Sequence, residues 1–352
     1  LQAPVATTLQ GQSVFPHNHP LHAGFSFGPH AAPASRNAFD GCDALLAVGT
    51  RFGELATGSF GVTVPENLVH IDINPQVFGQ NYPAKIALAG DAAAVLQGLT
   101  FELRARGAAR PAGSGPQEQI RRDKQAYREE WYAHDGKGRV NPARFFDEVR
   151  KQMPDDAIAT VDDGNHTFLT AELYPVHANR ALILPTDFNC MGYAVPAAVG
   201  AKLSQPQREV FSIVGDGAFM MTCMEILTAS KEGLGIVYFV FHDGELSQIA
   251  QAQEIPYNRK PCAVLGSVNL EGVALATGAA YVRMENDDAI AGCIAEARRL
   301  AATGRPVVVD VNIDYSKRTA FTKGAVKTNF KRFPLRQRLR MVSRALLRKV
   351  TG

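Results

Sequence analysis

The 352-residue sequence predicts an α/β protein with doubly wound parallel sheets and flanking helices. Short apolar runs alternate with segments of helical spacing, and this alternation is typical of parallel strands joined by crossover helices. The clearest unit is a strand over Val210–Val214, a helix over Ala218–Gly233 and a second strand over Ile236–Phe241. The apolar side of that helix is predicted from Met221, Met224, Leu227 and Ala229.

The remaining elements are predicted in the same way. Apolar runs bounded by turn residues indicate strands, and apolar residues every three or four positions indicate helices. Residues 104–116, rich in Arg, Pro and Gly, indicate a linker. The predicted strands are Pro4–Thr8, Ala44–Val48 and Leu68–Ile73 (the last two expected to be buried), Ala157–Val161 and Val307–Val311, and the predicted helices are Ala92–Leu103, Gln117–Ala133, Pro142–Lys151, Pro196–Leu203 and Phe333–Val350.

Composition narrows the class of protein. The chain is 46% hydrophobic and 20% charged, as in globular proteins, and no apolar run approaches the roughly 20 residues that span a bilayer. No secretory signal is recognised, and five scattered cysteines without CxxC spacing predict reduced thiols in a cytoplasmic protein. The net charge of +3 is uneven, because ten Lys or Arg and no acid lie between Lys323 and Lys349, whereas the rest carries 27 basic and 34 acidic residues.

Two acidic residues mark a candidate metal site. Asp216 and Asp243 are 27 residues apart, and each follows one of the two clearest strands. Parallel neighbours end at the same edge of a sheet, where ligands of open α/β folds bind. Two carboxylates beside glycines at that edge suit a hard divalent cation such as Mg²⁺ that also holds phosphate oxygens.

The motifs around these acids resemble those of thiamine diphosphate-dependent enzymes. Gly215-Asp216-Gly217, followed by a helix, a strand and His242-Asp243, is similar to that family's Gly-Asp-Gly signature with its later Asn-Asn pair. Residues 162–166 are similar to the family's Asp-Val-Gly-Gln-His, and residues 189–197 to its Gly-Thr-Met-Gly-Tyr-Gly-Leu-Pro-Ala. Segments 4–20, 45–52 and 70–75 look like the latter half of the central domain of acetolactate synthase-type enzymes, so the resemblance covers about residues 1–315.

The resemblance implies roles for residues of the second half of the chain. Asp216, Asp243 and the backbone carbonyl of Glu245 would bind Mg²⁺, and Asp243 departs from the family's Asn by adding a negative charge. Met191 would support the bent thiamine diphosphate, and the backbone carbonyl of Asn189 would fix its amino group. The cofactor would also contact Asn165, His166, Gly215, Gly217 and Ala218, and the substrate pocket would include Gln248 and Ala252.

A flavin is left open by the sequence. Arg51 matches an arginine that contacts FAD in the acetolactate synthase group. Its neighbours depart from that group: Gly53–Ala56 stands where an Asp-Asp-Arg-Val run is usual, and Gly24–His30 where a glycine loop is usual. The alternative is that Arg51 pairs with a nearby acid.

The resemblance predicts four segments and an enzyme. Residues 1–103 would be part of the central domain, 104–140 a linker and helix, 141–320 the domain that binds the diphosphate and Mg²⁺, and 321–352 a basic amphipathic tail. The implied activity is decarboxylation of a 2-keto acid such as pyruvate, followed by ligation to a second carbonyl. Alternatives within the fold are a decarboxylase, a C–C lyase or a flavin-dependent pyruvate oxidase, and another class of alternative is a non-catalytic scaffold or regulatory subunit.

Partners follow from the same resemblance. The family's catalytic glutamate lies on a pyrimidine-binding domain that has no match here, so this domain or a separate subunit is an expected partner, together with a homo-oligomer (dimer or tetramer). The basic tail predicts peripheral contact with an anionic membrane, with packing on the body or on a partner subunit as alternatives. Nucleic acid is not expected, because no aromatic platform accompanies the charge.

Overall fold

The computed structural model describes residues 1–108, 115–186, 188–266 and 268–351, so positions 109–114 of the predicted linker lie outside the described residues. The described chain forms two compact units. The first unit comprises Leu1–Leu9, His19–Tyr127 and Ala320–Arg332, and the second comprises Gln10–Asn18, Arg128–Thr319 and Phe333–Gly352.

Strands and helices alternate along most of the chain. The strands are β1 Val5–Thr7, β2 His22–Phe25, β3 Ala44–Val48, β4 Asn67–Asp72, β5 Ile86–Ala89, β6 Ile158–Val161, β7 Leu182–Ile183, β8 Val210–Gly215, β9 Ile236–Phe241, β10 Ala280–Met284 and β11 Val307–Val311. The helices are α1 Pro33–Ala38, α2 Ala92–Ala105, α3 Pro116–Tyr132, α4 Pro142–Gln152, α5 Asn165–Leu173, α6 Ala194–Ser204, α7 Asp216–Thr222, α8 Ile226–Lys231, α9 Ser247–Tyr257, α10 Leu270–Thr277, α11 Ile290–Ala301, α12 Ala320–Arg332 and α13 Leu335–Thr351.

The second unit is organised around six parallel strands in the order β10-β11-β9-β8-β6-β7. Side chains alternate between the two faces of a strand, yet every residue of β9 and β11 is buried, so both faces of the sheet are covered. The predicted parallel α/β fold with flanking helices is therefore confirmed. Gly215 pairs with Phe241, which brings the carboxyl ends of β8 and β9 to the same level.

Aromatic side chains fix α4 on this sheet. The fully buried ring of Phe145 lies 5.1 Å from the ring of Phe239 and 5.1 Å from that of Phe241, both in edge-to-face contact. Such pairs contribute roughly 0.5–1.5 kcal/mol beyond the burial of apolar area. The sheet edge that follows Phe241 therefore rests on a rigid apolar layer.

The helix predicted over Ala218–Gly233 differs from the structure in its bounds and in its buried side. It begins at Asp216 and is broken by a 3₁₀ turn over Cys223–Glu225 that separates α7 from α8. Met221 and Met224 of the predicted apolar side are each 57% exposed, and Leu227 is 45% exposed. The large ring of Phe219 takes the core position instead, and the buried side consists of Ala218, Phe219, Cys223, Ile226 and Ala229.

The first unit contains a three-stranded parallel sheet, β3-β4-β5, and a parallel pair, β1-β2. The interpretation of Ala44–Val48 as a buried strand is wrong. In β3 Ala47 is buried, but Ala44 is exposed and Leu46 is 39% exposed. Leu68 and Ile71 of β4 are fully buried, whereas Ile73, the last residue of the predicted strand, is 74% exposed. An apolar run therefore does not guarantee burial on both faces when the sheet is this small.

Helix α12 packs tightly within the first unit. The ring of Phe321 lies 5.0 Å from Phe25 and 5.3 Å from His30. A Cβ atom at Gly324 would overlap the backbone of His30, so this approach requires glycine. His30 is fully buried, with its Nε2 atom 2.6 Å from the hydroxyl of Ser26, and burial lowers its pKa to about 4. The imidazole is therefore neutral in the folded chain at ordinary pH.

We expect this histidine to make folding sensitive to acid. An unfolded histidine titrates near pH 6.5. Between about pH 6.5 and pH 4 the unfolded chain therefore binds a proton at this histidine, whereas the buried His30 of the folded chain does not. The free energy of unfolding should fall by about 3 kcal/mol over that window from this residue alone. Urea denaturation of wild type and of His30→Gln across this range measures the difference, with exposed His19→Gln as the control. Parallel stability curves for wild type and His30→Gln would contradict the assignment.

Candidate cofactor and metal site

The carboxyl ends of the second unit's strands border one open cleft with about 490 Å³ of empty space. Residues that follow β6, β8, β9 and β11 all reach it, as expected for a ligand crevice of an open α/β sheet. The cleft is lined by Asp163, Gly164, Asn165, His166, Met191, Gly215, Asp216, Gly217, Ala218, Asp243, Glu245, Leu246, Ser247, Gln248, Ile249 and Tyr315.

Both carboxylates that were predicted to bind a metal line this cleft. Asp216 is 1% exposed and accepts hydrogen bonds of 2.8 Å from the backbone N–H groups of Gly217 and Gly244. Burial raises the pKa of Asp216 in spite of these bonds. Burial also raises the pKa of Asp243 to about 6, a hydrogen bond from Ser247 opposes the rise, and the charge of Asp216 adds to it. The pair would gain stability from a cation, because each ionised carboxylate lacks enough compensating charge.

Glu245, whose backbone carbonyl is the third predicted metal ligand, also lines the cleft. Two backbone bonds pin the loop that follows Asp243, from Leu265 N–H to the Gly244 carbonyl and from Leu246 N–H to the Ala263 carbonyl. Neither bond uses the carbonyl of Glu245. Two carboxylates and a carbonyl form an oxygen donor set that fits Mg²⁺. The described residues contain no cluster of three or more His, Cys, Asp or Glu side chains arranged to hold a metal.

His242 places its imidazole next to Asp216. Its Nδ1 atom lies 2.9 Å from an oxygen of Asp310, and its Nε2 atom lies 3.9 Å from Asp216 Oδ2. The bond with Asp310 is the main cause that raises the pKa of His242. The other oxygen of Asp310 is bound by Arg283 and by the hydroxyl of Tyr281 at 3.0 Å. Sequence reasoning gave none of these four residues a role.

A buried imidazole faces the cleft from the start of α5. Burial lowers the pKa of His166 to about 3, so the ring is neutral. Its Nε2 atom is buried and has no hydrogen-bond partner within the described chain. The Nδ1 atom lies 3.5 Å from the hydroxyl of Tyr315. A buried ring nitrogen without a partner is costly unless a ligand bonds to it, so His166 fits a phosphate oxygen in the cleft.

Glycines let the backbone approach this ring. A Cβ atom at Gly215 would lie 3.1 Å from the Cε1 atom of His166, and one at Gly164 would lie 2.6 Å from it. A Cβ atom at Gly217 would meet the side chain of Leu246. The predicted cofactor contacts Gly215 and Gly217 are therefore positions where a side chain would narrow the cleft.

The loop that carries Met191 is fixed by one carboxylate. Asp162 ends β6 and accepts hydrogen bonds from the backbone N–H groups of Gly192 at 2.9 Å and Ala194 at 2.7 Å. Met191 lies in the segment between β7 and α6 and lines the cleft. Asn189 has a left-handed backbone with φ of 55°, donates to the Pro185 carbonyl at 2.7 Å, and is not one of the cleft-lining residues.

Only one of the two predicted substrate-pocket residues lines the cleft. Gln248 lines the cleft, and its Oε1 atom is buried without a partner among the described residues. Ala252 lies one turn further along α9 and does not line the cleft. Tyr315 was missed by sequence reasoning, although its place just after β11 puts it at the same edge of the sheet. The other lining residues that were not predicted are Asp163, Gly164, Leu246, Ser247 and Ile249.

The residues that resemble flavin contacts, or stand where such contacts are usual, belong to the first unit. Arg51 belongs to this unit and its side chain is exposed. The two segments expected to contact FAD are bonded to each other, because the Ser26 hydroxyl donates to the Ala56 carbonyl at 2.8 Å. His30 completes this contact beneath Phe321.

Comparisons with known proteins define the class. The family model described as thiamine pyrophosphate enzyme, C-terminal TPP binding domain, matches residues 162–311, and the model of the central domain of the same enzymes matches residues 1–99. Thiamine pyrophosphate is another name for thiamine diphosphate. The chain belongs to the thiamine pyrophosphate enzyme family, as the motifs predicted.

Within that family the chain is similar to acetolactate synthases. It is 30% identical over 333 residues to a probable acetolactate synthase large subunit of Methanocaldococcus jannaschii, covering 89% of this chain and 53% of that protein. It is 30% identical to the acetolactate synthase of Mycobacterium avium and to the large subunit of Corynebacterium glutamicum, each over 87% of this chain and 50% of the relative. The chain therefore spans about half the length of the relatives it matches.

We expect Asp162→Asn to loosen the Met191 loop. The amide keeps one acceptor but places N–H donors against the backbone N–H groups of Gly192 or Ala194, which should cost about 1–3 kcal/mol of unfolding free energy. Urea denaturation measures this. The matched control is Asp163→Asn, which removes the charge that faces Asp162. Because the pKa of Asp163 is raised to about 6, its ionised form is unfavourable in the folded chain, and the substitution should leave the free energy of unfolding unchanged or raise it near neutral pH. Equal effects of the two substitutions would contradict the role of Asp162.

Proposed function

We propose that the second unit binds thiamine diphosphate and Mg²⁺ and serves an acetolactate synthase-like enzyme. The observation that carries the proposal is the meeting of Asp216, Asp243 and the unpartnered nitrogen of His166 in one cleft. Two under-compensated carboxylates call for a cation, and a buried neutral imidazole calls for an acceptor such as a phosphate oxygen. A metal-bound diphosphate satisfies both needs at once.

Each residue has a role in this proposal. Asp216, Asp243 and the carbonyl of Glu245 hold the metal ion. The diphosphate takes hydrogen bonds from Asn165 and His166, and the glycine backbone around Asp216 allows it to approach; Gly215, Gly217 and Ala218 form this part of the site. Met191 supports the cofactor between its two rings, and the carbonyl of Asn189 accepts from its amino group.

The substrate class follows from the cofactor. When bound, thiamine diphosphate supplies the nucleophilic carbon that adds to a 2-keto acid carbonyl and accepts the electrons released when CO₂ leaves. Gln248 would lie near the acceptor carbonyl, and its unpartnered amide oxygen favours an acceptor that carries a hydrogen-bond donor. Decarboxylation without ligation, C–C lyase activity and flavin-dependent oxidation remain alternatives for the same fold.

The proposal requires a partner. The glutamate that activates the pyrimidine ring in this family would come from a pyrimidine-binding domain or subunit, and a homo-oligomer would bring it to the cleft. Exposed apolar side chains on α7, on α8 and on the 3₁₀ turn between them support such an interface: Met220, Met221, Met224 and Leu227 are 45%, 57%, 57% and 45% exposed.

Calorimetric titration with thiamine diphosphate and Mg²⁺ tests the site. We expect wild type to bind and Asp216→Asn to lose at least about tenfold in affinity, since one charge-assisted ligand contributes roughly 1.5–3 kcal/mol. Asp243→Asn should keep or improve affinity, because it retains an oxygen ligand and removes the charge that faces Asp216.

The control for that titration is Glu245→Gln. Only the backbone carbonyl of Glu245 is assigned to the metal, whereas its side chain bonds to Lys260 at 2.7 Å, so affinity should not change. Absence of binding by wild type would favour a non-catalytic scaffold. Collapse of binding in Asp243→Asn would show that the second ligand is misassigned.

The oligomer is tested by Met221→Asp combined with Met224→Asp. Charges on a buried apolar interface are strongly unfavourable, so the double variant should sediment as a smaller species than wild type at equal concentration. Leu275→Asp, which changes an 83% exposed apolar residue on α10, is the matched control and should sediment like wild type. Identical sedimentation of the methionine variant and wild type would exclude this face from the interface.

A further inference from the structure

Helix α13 combines a strict apolar stripe with a purely basic charge. Between Leu335 and Thr351 it contains six arginine or lysine residues and no acid. Leu335, Leu339, Val342 and Leu346 follow spacings of 4, 3 and 4, which aligns them along one side of a helix. The sequence alone leaves open whether this stripe packs on the body of the protein.

The structure shows that the stripe is left uncovered. Leu335, Leu339 and Leu346 are 60–62% exposed and Val342 is 44% exposed. The helix does contact the body, at α9, and its half-buried side chains include Arg338 and Met341. At about 100° per residue, Arg338 and Met341 lie well to one side of the stripe. The helix therefore docks through another side and turns its most apolar side outward.

The arginines are placed at the borders and the back of the stripe. Arg336, Arg340 and Arg344 follow one another every fourth residue on the side opposite Arg338. Long arginine stems can extend along a buried apolar surface while the guanidinium groups reach phosphate. An exposed apolar stripe with a cationic polar face is the arrangement of helices that lie in a lipid–water interface.

We propose that α13 lies on an anionic phospholipid surface, with Leu335, Leu339, Val342 and Leu346 among the acyl chains and the arginines at the headgroup phosphates. The helix binds on the surface, since no helix of the described chain is long and apolar enough to cross a membrane. Charge selects this occupant. A second copy of α13 packed stripe to stripe would bring like-charged arginines together, and a polyanion such as RNA would make no use of the stripe. This inference does not depend on the proposed cofactor chemistry.

Vesicle flotation of the whole chain tests the proposal. We expect binding to phosphatidylcholine vesicles that contain about 30% phosphatidylserine, a composition that gives a strong negative surface potential. Binding to phosphatidylcholine alone should be weak, and raising the salt concentration should release the chain from the anionic vesicles. Leu339→Gln with Leu346→Gln should reduce partitioning at least about tenfold at unchanged charge. Arg340→Gln with Arg344→Gln should reduce it about 25-fold, at about fivefold per arginine.

The matched control is Lys323→Gln with Lys327→Gln. It removes the same two charges from exposed positions of α12 and should leave partitioning nearly unchanged. Circular dichroism verifies that each variant is folded. Full vesicle binding by the leucine variant, or equal loss in the lysine control, would overturn the proposal. A leucine variant that changes the sedimentation of the chain without changing flotation would assign the stripe to a second copy instead.

Discussion

The burial of two like charges at the carboxyl edge of the sheet is the constraint on which the site depends. The parallel register of β8 and β9 pairs Gly215 with Phe241, so the acids that follow these residues emerge at the same level. Asp216 is held by backbone N–H groups of Gly217 and Gly244, which keep it in place without neutralising it. The fold thus carries an electrostatic cost at the position where a divalent cation would remove it.

Both positions of the family's Asn-Asn pair are occupied in this chain by titratable residues, His242 and Asp243. Asp243 adds a negative group beside Asp216, and His242 adds a group that Asp310 favours in its protonated form. The imidazole lies 3.9 Å from Asp216, where a positive charge offsets part of the added repulsion. Taken singly, Asp243 suggests a weakened site. Taken with His242, Asp310 and Arg283, it is one part of a charge network that the neutral asparagines would not need.

Strands buried on both faces are easier to predict from the sequence than the side chains that meet, whereas β2, β5, β7 and β10 were not predicted. The bounds of Ile236–Phe241 and Val307–Val311 agree with the structure to the residue, because strands buried on both faces appear as unbroken apolar runs. The helix after Asp216 was assigned the wrong buried side, since its spacing fits either methionines or Phe219 and only packing decides. Tyr315 carries no motif, and its approach to His166 joins residues 149 positions apart, a distance that no local pattern encodes.

Composition also fails to distinguish the two basic helices at the end of the chain. Both α12 and α13 are rich in Lys and Arg, yet Phe321 of α12 is 3% exposed and Leu339 of α13 is 60% exposed. The difference lies in small residues, not in charge. Gly324 and Gly61 let α12 come close enough for side chains to interlock, whereas α13 contains no glycine and its apolar side chains project beyond its contact with α9. The contact of α13 with α9 therefore leaves its apolar stripe exposed.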